Sequence, residues 1–96
     1  MDLTDIAACL AKEKPTLSKY HIKSIGVFGS FVRGEQRQRS DIDILVDFEN
    51  DVMDLLTFIE LKNYLSSRLG RKVDLVMKDS LKPHIGKRIM DEVVYL

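Results

Sequence analysis

At 96 residues the chain has the length of one domain, 1–96, and can bury only a modest core, roughly two-thirds of the surface its unfolded form exposes. Its composition, 45% apolar and 31% charged, is that of an ordinary soluble globular protein. Lys plus Arg and Asp plus Glu both number 15, which argues against nucleic acid as the main partner, because chains that coat nucleic acid carry a basic excess.

The single cysteine, Cys9, leaves no internal disulfide and fits a reducing cytosol. No apolar run approaches the roughly 20 residues that cross a bilayer. The acidic start Met1-Asp2-Leu3-Thr4-Asp5 has no signal-peptide pattern. These features lead us to expect a cytoplasmic protein without a membrane partner.

Thr4 or Asp2 can cap a first helix, in which Ile6, Cys9 and Leu10 share one face; Pro15 ends it or starts the next turn. Leu17 and Tyr20 continue the apolar stripe, and His21-Ile22-Lys23 reads as a connection. Ser24 to Phe28 predicts a short apolar strand bounded by Gly29, with Gly26 marking a close backbone approach. Ser30 to Glu35 reads as a short helix or turn, and Glu35 to Arg39 as an exposed polar connection. Asp41 to Phe48 predicts the second strand, followed by a turn at Glu49-Asn50-Asp51. Asp51 or Asp54 opens the longest helix, with an apolar stripe of Leu55, Phe58, Ile59, Leu61, Leu65 and Leu69 and a terminating Gly70. Lys72 to Met77 predicts the third strand. Ser80 caps a last helix in which Pro83 lies in the first turn and Ile85, Ile89 and Val93 step by four. The expected fold is α+β, an α/β sandwich: a small mixed sheet of three strands flanked by helices. The helix between strands two and three is long enough for those two to run parallel.

Chemistry concentrates around the first two strands. Gly29-Ser30 ends a strand and opens a turn whose free N–H groups attract phosphate; the alternative is a turn glycine followed by a capping serine. Asp41 and Asp43 lie on one face of a strand, where their repulsion calls for a divalent cation or basic side chains; the alternative is a solvated strand edge. The apolar company of Ile42, Ile44, Leu45 and Val46 weakens that alternative. Asp74 interrupts another apolar strand and is either a surface position or a third carboxylate converging on the pair. Three carboxylates around two metal ions suit in-line phosphoryl or nucleotidyl transfer.

Gly29-Ser30, ten residues from Phe31 to Ser40, then Asp41-Ile42-Asp43, with Arg33-Gly34 inside the gap, resembles the signature of the DNA polymerase beta nucleotidyltransferase superfamily. Within it the chain is most similar to the minimal nucleotidyltransferases of bacteria and archaea, over nearly its whole length. The resemblance implies a palm-like nucleotidyltransferase fold. It implies that Gly29 and Ser30 hold the triphosphate of ATP, that Asp41 and Asp43 bind two Mg²⁺ ions, and that Asp74 completes the metal set as candidate general base. Arg33 matches the arginine of that turn and either contacts phosphate or pairs with an acidic neighbour; Arg37 and Arg39 are weaker candidates. Minimal nucleotidyltransferases commonly act as antitoxins of HEPN-domain toxins, transferring AMP to a toxin tyrosine, so the resemblance implies a HEPN toxin as partner. Two other functions stay open: a silent antitoxin acting by binding alone, and an enzyme acting on an antibiotic-type small molecule, for which a homodimer could supply the missing pocket. His21 and His84 have no second ligand at metal spacing, Met53, Met77 and Met90 read as packing, and Lys87-Arg88 reads as a solvated helix face.

Overall fold

The computed structural model describes residues 1–49 and 54–96. Helix α1 spans Leu3–Lys12. Its cap is Asp2, which accepts the Asp5 N–H while the Asp5 side chain accepts the Asp2 N–H. A short α2, Lys14–Leu17, carries Pro15 in its first turn and leads through a 3₁₀ turn, Ser18–Tyr20, into β1, Ile22–Phe28. Ile22 and Lys23 therefore belong to the strand rather than to a connection, and only His21, at φ +56°, makes the bend.

After β1 come α3, Ser30–Arg33, and β2, Ile42–Phe48. Helix α4, Leu55–Leu69, is capped by Asp54, whose carboxylate accepts the Thr57 N–H at 2.7 Å, and ends at Gly70 in the left-handed conformation. The alternative cap, Asp51, the turn around it and Met53 lie outside the described residues. Strand β3 spans Val73–Met77 and helix α5 spans Pro83–Glu92. Ser80 is not the α5 cap: it sits in a 3₁₀ turn, Lys78–Ser80, where its hydroxyl donates to the Met77 carbonyl. Pro83 starts α5 instead, at a position whose missing N–H costs nothing.

Among the described residues the sheet has four strands, one more than the three expected. The fourth, β4, is Val94–Tyr95, and the order is β3-β2-β1-β4. Strand β1 is antiparallel to β2 and β4, while β2 and β3 run parallel through α4. Val93 was expected to continue the last helix but is extended, which lets the chain reach β1. Gly26 is where β4 crosses: a Cβ there would lie 2.7 Å from Val93 Cγ2 and 3.0 Å from the Val94 carbonyl oxygen.

The sheet has two unequal faces. Ile42, Ile44 and Val46 of β2 pack with Val27, Val73 and Leu75 under α1 and α4, which contribute Ile6, Leu10, Leu61 and Leu65. The opposite face carries a smaller cluster, Phe28, Leu45 and Ile89, covered by α5. Only part of the expected α4 stripe is core: Leu55 is 71% exposed and Ile59 42%, and on α5 Ile85 is 58% exposed. The two-sided cover makes this an α/β sandwich, and it determines which way each aspartate points.

Candidate active site

Alternation along β2 sends Ile42 and Ile44 into the large core, so Asp43 faces the thinner α5 side. The same alternation in β3 buries Val73 and Leu75 and leaves Asp74 on the α5 side. The parallel register sets Asp43 directly beside Asp74. Asp41 precedes the strand, which begins one residue later than expected, and its carboxylate lies 3.9 Å from Lys72 Nζ in an exposed pair worth little. Burial first, then the negative charges of Asp74 and Asp41, push the Asp43 carboxyl up to about 6. Glu92 adds to that rise and Arg33 opposes it.

Gly29 joins β1 to α3 at φ +79°. A Cβ at this position would collide with the Asp43 carboxylate, so glycine answers both the backbone conformation and the close approach. Gly29, not Ser30, is the residue that caps α3; Ser30 is the first helical residue, so the capping-serine alternative does not hold.

Arg33 lies at the end of α3, and its guanidinium is held by two carboxylates. Nη1 donates to both Glu92 oxygens at 2.8 and 3.1 Å, and Nε donates to Glu35 at 3.0 Å. These acids raise the arginine's already high pKa. Glu92 also accepts the Gly29 N–H at 3.3 Å. Arg37 and Arg39 lie in the connection to β2. There Arg71 donates to the carbonyls of Arg37, Gln38 and Ser40, each at 3.1 Å, and stacks over Phe31. Glu92 and Arg71 were not legible in the sequence, since each acts across more than thirty residues of chain.

A cleft of about 300 Å³ opens between Gly29, Arg33 and Asp43 on one side and Ile85, Arg88 and Glu92 of α5 on the other. A cleft of similar size between α2 and the first half of β1 is lined, among the described residues, by no acidic side chain, so it offers no comparable chemistry. Among the described residues no three His, Cys, Asp or Glu side chains stand close enough to enclose a metal ion by themselves. Asp43 beside Asp74 does fit Mg²⁺, which typically takes one or two protein carboxylates and completes its shell with phosphate oxygens and water.

A strand–glycine–helix turn pressed against a carboxylate pair on adjacent strands is an arrangement for handling phosphate, and the nucleotidyltransferase domain matches residues 10–96 of this chain. The chain belongs to that nucleotidyltransferase family. Protein adenylyltransferase MntA of Thermococcus cleftensis is 50% identical over 97 residues, spanning 100% of this chain and 97% of that one. A solved structure assigned as a minimal nucleotidyltransferase superposes with a TM-score of 0.78 at 33% identity, covering 100% of this chain and 97% of the other. A toxin–antitoxin structure with AMP-PNP gives 0.72 at 28% identity, covering 99% and 72%. A Shewanella oneidensis complex of a tri-AMPylated HEPN toxin with its MNT antitoxin gives 0.69 at 25% identity, covering 94% and 70%. The nucleotidyltransferase fold expected from the motif is therefore the fold observed, with β4 added. Among the described residues no helix is long and apolar enough to cross a membrane.

Proposed function

We propose that this nucleotidyltransferase moves AMP from ATP to a hydroxyl on a partner protein, and that the partner is a HEPN toxin which it thereby silences in the cytoplasm. The observation that carries the reading is Asp43, drawn up to about 6 between burial and the charges of Asp74 and Asp41, against a turn that only glycine can make. The 50%-identical relative named a protein adenylyltransferase supports a protein acceptor, and the toxin complexes of structural relatives support the partner.

In this reading Asp41, Asp43 and Asp74 would hold Mg²⁺, as two ions; bound there, its positive charge would offset the mutual repulsion of the carboxylates and supply Lewis-acid polarisation of the α-phosphate. Gly29 and Ser30 receive the triphosphate at backbone and hydroxyl donors. Arg33 serves the phosphate only if the substrate draws it from Glu92. Asp74 accepts the proton of the attacking hydroxyl; that oxygen bonds to the α-phosphorus, the bond to the β-phosphate oxygen breaks, and pyrophosphate leaves with the electron pair.

The test is incubation with Mg²⁺, ATP labelled on the α-phosphate and the toxin expressed from the same host. Label on the toxin that disappears in the Asp41→Asn/Asp43→Asn variant, by at least about 1,000-fold given the loss of several charge-stabilising contacts, is the expected result. Neutralisation of the toxin by that variant without any label would overturn the transfer reading in favour of a binding-only antitoxin.

A further inference from the structure

Resting on that reading, we infer that Arg88 on α5 binds the β- and γ-phosphates of the incoming nucleotide, making α5 the wall that distinguishes a triphosphate from a monophosphate. Arg33 and Arg88 are the two cations of the Gly29–Asp43 cleft, and they are in different states. Arg33 is already neutralised: Glu92 takes two of its hydrogen bonds and Glu35 a third, so two carboxylates face its one charge. Arg88 is exposed, and among the described residues no carboxylate lies within ion-pair distance of it. Glu92 offsets Arg33 and Asp43 adds a further negative charge, so a polyphosphate entering the cleft needs positive charge beyond what the aspartates can gather on metal ions. A guanidinium that is not already neutralised supplies it with paired donors suited to phosphate oxygens.

The helix fixes the geometry of this wall. Ile85, Arg88 and Glu92 stand three and four residues apart and so share one face of α5. Buried Ile89 anchors the helix to the sheet beside Phe28 and Leu45. Gly86 keeps it close to Leu81, whose Cβ would lie 3.2 Å from a Cβ added there. Exposed Ile85, one turn before Arg88, offers the same cleft an apolar surface for the sugar or base.

The experiment measures binding of ATP and of AMP, each with Mg²⁺, to the wild type, Arg88→Ala, Arg88→Lys and Lys87→Ala. Lys87 is exposed on the same helix, is no part of the cleft lining, and controls for general loss of positive charge. We expect Arg88→Ala to weaken ATP binding by about 10- to 100-fold, the worth of a charge-assisted contact, and to leave AMP binding unchanged. Arg88→Lys should recover part of the loss, and Lys87→Ala should bind both nucleotides as the wild type does. Equal ATP affinity in wild type and Arg88→Ala, or equal weakening for ATP and AMP, overturns the role of Arg88 while leaving the nucleotidyl-transfer reading intact. A wild type that binds neither nucleotide overturns both. Melting curves of Arg88→Ala that match the wild type confirm that the comparison is between folded proteins.

Discussion

Asp43 is where burial and charge meet. Its carboxyl is half covered, faces Asp74 and Asp41 with Glu92 near, and has only Arg33 to counter them. The folded pKa of about 6 exceeds the ordinary carboxylate value of 3.8, so folding favours the protonated form. The resulting stabilisation is complete below about pH 4 and is lost as pH rises through 6. Metal-free wild type should therefore lose stability relative to Asp43→Asn between pH 4 and 7. Paired thermal melts across that range check this; a constant difference between the two proteins would show that neither burial nor repulsion raises the Asp43 carboxyl. The involvement of Asp43 was legible in the sequence, because a charged residue between isoleucines on a strand must face away from the core they build. The partner of Arg33 was not, since Glu92 lies 59 residues away and nothing local singles it out.

At the scale of elements, β4 and α5 are the pieces that sequence patterns described least well. A two-residue strand has no periodicity to detect, and the helical spacing of Val93 pointed the other way. Gly26 was the one legible sign, as a glycine inside a strand that marks close backbone approach. Gly26→Ala should push Val93 and the Val94 carbonyl outward and release β4 from β1, at a cost of about 1–3 kcal/mol. Faster hydrogen exchange at the Leu96 N–H, which donates to the Ile25 carbonyl at 2.9 Å, would report that release. Unchanged exchange would mean that the strand accommodates the methyl group by shifting as a unit. The exposed Leu55 and Ile85 show the limit of helical periodicity: spacing finds a stripe, but only the neighbouring elements decide how much of it is covered.

For the whole molecule, the site joins four separate stretches of the chain: the turn after β1, the starts of β2 and β3, and the last turn of α5. A cation bound there acts on global stability, because the unfolded chain cannot assemble the carboxylates. Mg²⁺ at ten times its dissociation constant should add about 1.4 kcal/mol and raise the melting temperature by several degrees near pH 7. The Asp41→Asn/Asp43→Asn variant should show no such rise, and an equal rise in both proteins would place the cation elsewhere. The order of helices and strands was legible almost throughout, because amphipathic periods and glycine stops are local. The packing of α5 over the thin face was not, and that packing brings Arg88 and Glu92 into one cleft with Asp43.

The side-by-side register of Asp43 and Asp74 also constrains how such a gene can change length. One codon gained or lost between Gly70 and Val73 would leave α4 and its caps intact. Taken up as a one-residue slip of β3 against β2, it would turn every residue of β3 over, driving Asp74 into the layer of Ile44 and Leu65 and presenting an aliphatic side chain to Asp43. A change of length in that short link is therefore compatible with the site only where the link itself absorbs it and the register holds.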